Sequence, residues 1–165
     1  MDKLDRYDLA ILKELQVNAR LTNAELAQRV GLSAAPCWRR VRALEEAGII
    51  TGYRAVIDRS KVDLGVLAFV RLDAERISGG AVRDLERAIQ ALPQVMSCHY
   101  ISGTGTFELQ VVARDLDAFS QFARDHLFHL PHVKDMQTSF SLGEIKVAGV
   151  LPLACLLYTS DAADE

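Results

Sequence analysis

The chain has 165 residues, of which half are apolar and a quarter are charged, and its formal net charge is −3. This composition excludes a disordered chain, and the acidic balance argues against a polycation that coats nucleic acid without specificity. The length permits one domain of average size or two small ones.

The first two helices of the chain are marked by capping motifs. Asp5 with Asp8 three residues later predicts the start of the first helix, and Thr22 with Glu25 predicts the start of the second. Gly31 ends the second helix, because glycine tolerates the left-handed conformation found at helix C-termini. Two short helices are therefore expected before residue 32.

A third helix is predicted from its N-cap Ser33 to about Ala47, and Gly48 ends it. Only Gly31, Leu32 and Ser33 separate it from the second helix. A short turn containing glycine is typical of the helix-turn-helix motif that binds DNA. A plain three-helix bundle uses similar spacings, so the turn alone leaves both interpretations open.

The charges of the third helix favour DNA binding. With about 100° per residue, Cys37, Val41 and Leu44 form a buried stripe, and the other side carries arginines without acids at the same place. Arginine binds phosphate or guanine, and small residues permit close approach to the major groove. The candidate DNA-contacting residues are Ser33, Ala35, Pro36, Trp38, Arg39, Arg40 and Arg42. A solvated basic face is the structural alternative, and Trp38 also suits partly exposed packing at the edge of the core.

The segment after the third helix alternates β-branched residues around a glycine, which predicts a strand, or a wing, over residues 49–57. We expect residues 51–65 to link an N-terminal domain, residues 1–50, to a second domain over residues 66–153. The fold class is therefore α+β, with a winged helix-turn-helix domain at the N-terminus.

The second domain has the pattern of a small α/β sandwich. Apolar segments predict strands at 66–72, 95–101, 107–113 and 133–142, and helices at 81–92 and 116–127. The order βαββαβ is the ferredoxin-like arrangement, in which two helices cover one face of the sheet. An open apolar face on the other side is normally covered by a partner, which predicts a homo-oligomer built sheet against sheet.

Three segments carry a family pattern in the expected order. The first comprises Leu32, Ser33, Cys37, Arg39, Arg40, Val41, Leu44, Glu45 and residues 48–50; the second comprises residues 52–53 and 55–58; the third comprises residues 139–142, 144–146 and 151–153. Together with the βαββαβ order, they resemble the leucine-responsive/AsnC (feast–famine) transcription regulators over roughly residues 2–153.

This resemblance implies a cytoplasmic dimer, or an assembly of dimers, whose N-terminal domains bind double-stranded DNA. It also implies that the second domain is a RAM domain that binds a small effector, commonly an amino acid. The implied effector loop is Gly103, Thr104, Gly105, Thr106 and Phe107. The family usually has an acid at the position of Thr106, and a hydroxyl meets an ammonium group less strongly than a carboxylate does. The ligand is therefore open between an amino acid, another metabolite and none.

Other chemistries are not expected. Pro131 separates His132 from His126 and His129, so the three histidines cannot share one helical face as metal ligands. The neighbours Cys98 and His99 should lie on opposite faces of a strand, which does not suit a nucleophile and its base. We expect no metal, no cofactor and no enzymatic activity. The alternative function is a small-molecule or metal sensor whose N-terminal bundle mediates protein contacts.

Residues 154–165 have no counterpart in the family pattern, and we expect a foreign or disordered tail. They hold three acids and no base, whereas residues 20–54 carry a net charge of +3.

The cysteines and the apolar runs bear on the compartment. The chain has three cysteines, Cys37, Cys98 and Cys155, and they form no CxxC motif. An odd number of widely spaced cysteines does not suggest a disulfide framework and fits a reducing cytoplasm. The longest apolar run, residues 147–158, is shorter than the about 20 residues that a membrane span needs.

Overall fold

The computed structural model describes residues 4–74, 79–102, 106–146 and 149–153. The chain divides into two compact units, Met1–Val56 with Lys146–Glu165, and Ile57–Ile145. We call the first the head and the second the sheet unit. The predicted effector-loop residues Gly103, Thr104 and Gly105, and the predicted tail, lie outside the described residues.

Three helices form the head: α1 (Arg6–Val17), α2 (Asn23–Val30) and α3 (Ala34–Glu46). The predicted N-cap Asp5 and the predicted capping box of Thr22 and Glu25 are confirmed, and Asp5 forms a capping box with Asp8 as well. The Asp5 carboxylate accepts hydrogen bonds from the amides of Tyr7 and Asp8, and Thr22 and Glu25 cap α2 reciprocally. Gly31 ends α2 in the left-handed conformation with φ 72°. Local capping chemistry therefore sets where these helices begin and end.

The core of the head is the predicted stripe of α3 packed against α1 and α2. Its buried residues are Ile11, Leu12, Leu26, Ala27, Cys37 and Leu44. Leu153, from the far end of the chain, packs against the same cluster, and the backbone of Leu151 is bonded to the side chain of Gln16. These contacts group residues 149–153 with the head, although the sequence analysis continued the second domain through them.

The strand predicted over residues 49–57 is wrong: residues 51–58 have no regular secondary structure in this chain. A strand requires a neighbour that satisfies its backbone hydrogen bonds, and the β-branched pattern of the segment does not supply one. Val56 and Ile57 are instead 94% and 67% exposed. A short 3₁₀ helix follows at Arg59–Val62.

The sheet unit has the predicted βαββαβ order. Its strands are β1 (Val66–Ala74), β2 (Val95–Ile101), β3 (Thr106–Ala113) and β4 (Val133–Phe140), and its helices are α4 (Gly79–Gln90) and α5 (Leu116–Asp125). The strands pair antiparallel in the order β2-β3-β1-β4, which confirms the ferredoxin-like arrangement. The core lies between this sheet and the helices, and it contains the fully buried Val70, Leu72, Leu85, Leu109 and Val111.

The opposite face of the sheet is more polar than the sequence analysis expected. Arg71 pairs in register with Glu108 on β3 and Gln137 on β4, and the Arg71–Glu108 ion pair spans 3.8 Å. Phe69 lies beside them with Ser139. The expected apolar open face is therefore a mixed surface, because alternate residues of β1, β3 and β4 place charges and amides there.

None of the described helices is both long and apolar enough to cross a lipid bilayer.

Candidate nucleic-acid interface and effector cavity

The turn between α2 and α3 is held by backbone and side-chain hydrogen bonds. Gly31 allows the chain to reverse, and the amide of Leu32 donates to the carbonyl of Ala27 at 2.9 Å. The Asn23 side chain, at the start of α2, donates to the carbonyl of Ala34 at 2.8 Å. Asn23 therefore ties the beginnings of the two helices together, a contact that the sequence analysis missed because the two residues are eleven positions apart.

The first turn of α3 presents small residues at the surface. Ser33 occupies the N-cap position, as predicted, but its side chain makes no capping hydrogen bond. Ser33 and Ala35 are exposed, and Pro36 is half-buried. This end of α3 has no bulky side chain that would hold another surface away from the helix backbone.

The predicted arginines of α3 differ in their surroundings. Among the described residues, no salt bridge involves Arg39, which is exposed. Arg42 is also exposed, lies 3.4 Å from Glu46 and 3.8 Å from Glu45, and has its guanidinium carbon 5.9 Å from the centre of the Trp38 ring. Trp38 itself is 56% exposed. Arg39 and Trp38 are thus available to a partner, whereas Arg42 must exchange weak surface pairs for one.

The expectation that the arginine-bearing side of α3 is free of acids is wrong for Arg40, whose acidic partners come from the N-terminus of α1. One guanidinium nitrogen of Arg40 lies 2.7 Å from Asp8 and 2.8 Å from Asp5, and the group sits above the Tyr7 ring at 5.3 Å. The hydrogen bond to Asp8, and then that to Asp5, raise the pKa of Arg40. The carboxylates that cap α1 therefore also hold the middle of α3.

This cluster also shifts the pKa of Asp5. Burial acts to raise the pKa of the Asp5 carboxyl, but hydrogen bonds from the Asp8 amide, Arg40 and the Tyr7 amide together lower it below its ordinary value. The local sequence pattern predicts only the capping role of Asp5 and Asp8. Only the packing of α1 against α3 reveals that the second oxygen of each carboxylate faces Arg40.

A cavity of about 440 Å³ lies in the sheet unit, beside α4 and the edge strand β2. It is lined by Glu86, Ile89, Gln90, Val95, Met96, Ser97, Cys98, Tyr100 and Phe107. Met96 and Tyr100 are 55% and 68% exposed, whereas Phe107 is buried with its ring 5.0 Å from that of Tyr100. The size falls within the range of about 300–1,000 Å³ found for small-molecule sites.

One of the predicted effector residues, Phe107, lines this cavity. Thr106 begins β3 and pairs with Ile101 on β2, and Phe107, the next residue, lines the cavity. Of the five predicted effector residues, the structure describes these last two. The sequence analysis did not single out Glu86, because an acid on a helix surface is usually a solvated charge and only the fold brings it beside β2.

The remaining candidate residues lie in ordinary structural positions. Cys98 pairs with Leu109 and His99 with Glu108, so the two neighbours take alternate faces of β2, as predicted. His126 follows α5 and packs on the ring of Phe122. Within the described part of the chain, no three His, Cys, Asp or Glu side chains group so as to hold a metal ion.

Comparison with known protein families gives two matches. A winged helix-turn-helix DNA-binding model matches residues 4–51, and an Lrp/AsnC ligand binding domain model matches residues 67–151. The chain is 38% identical over 146 residues to a leucine-responsive regulatory protein of Rhizobium meliloti, covering 88% of this chain and 94% of that protein. It is 37% identical to the leucine-responsive regulatory protein of Escherichia coli, with 87% of each chain covered.

Solved structures give the same result. A transcriptional regulator from Neisseria meningitidis, in complex with L-Met, superposes with a TM-score of 0.88 and 42% identity over 93% of this chain and 99% of that one. An AsnC family transcriptional regulator from Agrobacterium tumefaciens superposes with a TM-score of 0.87 and 32% identity over the same shares.

Proposed function

Because the chain belongs to the Lrp/AsnC family of transcriptional regulators, we propose that it presents α3 to a specific operator and senses a small metabolite in its sheet unit. It is a DNA-binding regulator, and this function is favoured over a sensor whose helical bundle contacts only proteins. The observation that carries the proposed DNA contact is the exposed face of α3. We propose a cytoplasmic regulator without catalytic activity.

The residues of α3 have separate roles in this proposal. Ser33, Ala35 and Pro36 permit close approach of the helix to the major groove, and Arg39 contacts a base or a phosphate. Arg42 and Trp38 contact the DNA backbone at the edge of the interface. These assignments are supported by the exposure of the side chains.

Arg40 has a positioning role rather than a base contact. Its guanidinium is already held by Asp5 and Asp8, so a DNA contact through the same nitrogen would require both pairs to break. We therefore propose that Arg40 fixes the angle between α3 and α1. This role makes its removal affect the stability of the head, and not only DNA affinity.

The functional boundaries of the proposal are residues 1–50 for the DNA-binding domain, 51–65 for the linker and 66–153 for the effector domain. The protein acts as a homodimer, or as an assembly of dimers, that presents two copies of α3 to the duplex. Half-sites are then spaced by about one helical turn, roughly 10 bp, or a multiple of it.

An amino acid is the proposed effector, and the candidate effector-binding residues are those that line the cavity together with the predicted residues 103–107. The regulator from Neisseria meningitidis, which is 42% identical to this chain, is in complex with L-Met. A ligand alters regulation when it binds one conformation of the assembly more tightly than another. Binding to the folded protein also raises its unfolding temperature.

An electrophoretic mobility shift assay on the DNA upstream of the protein's own gene tests the DNA contact. We expect a shift that unlabelled specific DNA competes away, and weaker binding by Arg39→Ala. Arg83→Ala, which removes an exposed arginine from the sheet unit, is the matched control and keeps wild-type binding. Absence of any shift at low salt would contradict the DNA-binding proposal.

A thermal-shift panel of the twenty amino acids tests the effector proposal. We expect at least one amino acid to raise the unfolding temperature of the full chain in a dose-dependent manner. A panel without any dose-dependent rise would contradict an amino-acid effector and would leave the DNA result unaffected.

A further inference from the structure

The described residues that line the cavity beside α4 and β2 carry a single charge. Nine described residues line it, and Glu86 is the only Asp, Glu, Lys, Arg or His among them. In the sequence, residues 102–106, which precede Phe107, include no Asp, Glu, Lys, Arg or His. Among the described residues of the lining, no cation is therefore available to receive an anionic ligand group.

Glu86 is not used by the fold. Among the described residues, it makes no hydrogen bond or salt bridge, and the nearby Arg87 is instead bonded to Asp84 at 2.7 Å. Gln90, one helical turn further along α4, lines the same cavity and supplies a neutral amide beside it. A free carboxylate and an amide thus face the same space.

The charge of Glu86 reaches the strand side of the cavity. The pKa of Cys98 is raised, first by burial and second by the negative charge of Glu86. Both effects oppose a thiolate, so Cys98 is a neutral part of the wall. A cation placed between α4 and β2 would be attracted by the negative charge of Glu86.

Much of the remaining wall is apolar and polarizable, although Ser97 and Cys98 also line it. Ile89, Val95 and Phe107 supply aliphatic and aromatic surface, Met96 supplies a thioether, and Tyr100 supplies a ring. Such walls favour an apolar chain of modest length, and the volume of about 440 Å³ accommodates a molecule of amino-acid size.

We propose that Glu86 accepts the ammonium group of a small ligand whose apolar chain lies along Met96, Tyr100 and Phe107. This inference rests on the proposed effector function and names the chemistry of its site. The ligand class is a primary ammonium compound with an apolar chain. The ligand requires its ammonium group to bind in this cavity, and the residues that line the cavity do not recognise the carboxylate of an amino acid.

Isothermal titration calorimetry on the full chain separates these groups. The probes are L-methionine, 3-(methylthio)propylamine, which lacks the carboxylate, and 4-(methylthio)butanoate, which lacks the ammonium. We expect the two ammonium compounds to bind and the butanoate to bind at least about tenfold more weakly than methionine, because a charge-assisted hydrogen bond is lost.

Glu86→Gln keeps the size of the side chain and removes its charge. We expect the variant to bind both ammonium compounds about ten- to a hundredfold more weakly, since the lost interaction involves charged groups. Asp84→Asn is the matched control, because it removes one negative charge from the same helix at a residue that does not line the cavity. It should bind both compounds as the wild type does, and circular dichroism establishes that both variants are folded.

The outcomes distinguish this inference from the effector proposal. If the wild type binds methionine or another amino acid and Glu86→Gln binds it equally well, the assignment of Glu86 is overturned while the effector function stands. Tight binding of the butanoate, or a response to anionic amino acids alone, also overturns it. If no amino acid and no amine binds the wild type, both proposals fail.

Discussion

The exposed face of α3 and the cavity of the sheet unit differ in the sign of their charge. On α3, Arg39 and Arg42 project from a segment, residues 20–54, whose net charge is +3. Among the described residues that line the cavity, Glu86 is the one Asp or Glu, and no Lys, Arg or His accompanies it. The formal net charge of −3 describes neither region, and it equals the charge of residues 154–165 alone. Partner chemistry in this protein therefore depends on local charge.

The two regions differ also in what holds them in place. The cavity is built on the core of the sheet unit, where Leu85 of α4 is fully buried next to the residue that supplies the carboxylate. The α3 surface depends on a small head in which Asp5 and Asp8 fix Arg40. Apolar burial thus supports the cavity, whereas partly exposed ion pairs contribute to the support of the α3 surface.

The largest expected effect tests the support of the cavity. Leu85→Ala should destabilise the protein by about 2–5 kcal/mol, because it removes a fully buried side chain and leaves a void under α4. Urea unfolding followed by circular dichroism measures the change. A loss below about 1 kcal/mol would show that α4 does not depend on this contact, and the difference in support between the two regions would disappear.

Removal of Arg39 tests the positive region directly. Arg39→Ala should weaken operator binding by about 1–3 kcal/mol if the side chain contacts a base, with the loss confined to sequences that carry that base. Fluorescence anisotropy against the operator and a scrambled duplex measures both affinities. An equal loss on the two duplexes would assign Arg39 to a phosphate, and no loss on either would remove it from the interface.

Arg42 provides a finer test, since a backbone contact depends on salt. Arg42→Ala should weaken binding to all sequences alike and reduce the slope of log affinity against log salt by about 1. Titrations at several salt concentrations give this slope. An unchanged slope would indicate that Arg42 stays paired with Glu45 and Glu46 in the complex.

Local patterns predicted much of the fold. Capping residues such as Thr22 and Glu25 act within one turn of chain, so the starts of α1 and α2 and the end of α2 at Gly31 could be predicted. The βαββαβ order followed from apolar periodicity. The prediction of a strand over residues 49–57 was wrong, because strand formation depends on a pairing partner as well as on propensity.

The candidate sites were predicted less completely, for a related reason. Arg40 and Asp8 are 32 positions apart, and no local pattern connects them. Glu86 lies on a helix whose surface carries several charges, and only the pairing of β2 with β3 forms the cavity that it lines. The residue types on α3 indicated DNA contacts. They did not indicate which arginine is free to make them, because that depends on how the helices of the head pack together.

The smallest expected effect concerns the ion pairs beneath α3. Asp5→Asn retains a good N-cap residue but removes the charge that faces Arg40, and it should lower head stability by about 0.2–1 kcal/mol near neutral pH, the range of exposed pairs. The folded-state pKa of Asp5 lies below its ordinary value of 3.8, so its contribution is present above that pH and is lost as the pH falls through the folded-state pKa. Thermal unfolding of the wild type and the variant between pH 7 and pH 2.5 should therefore show a difference that shrinks in acid. A difference that stays constant over this range would mean that the charge of Asp5 does not hold α3, and that the head relies on apolar burial as the sheet unit does.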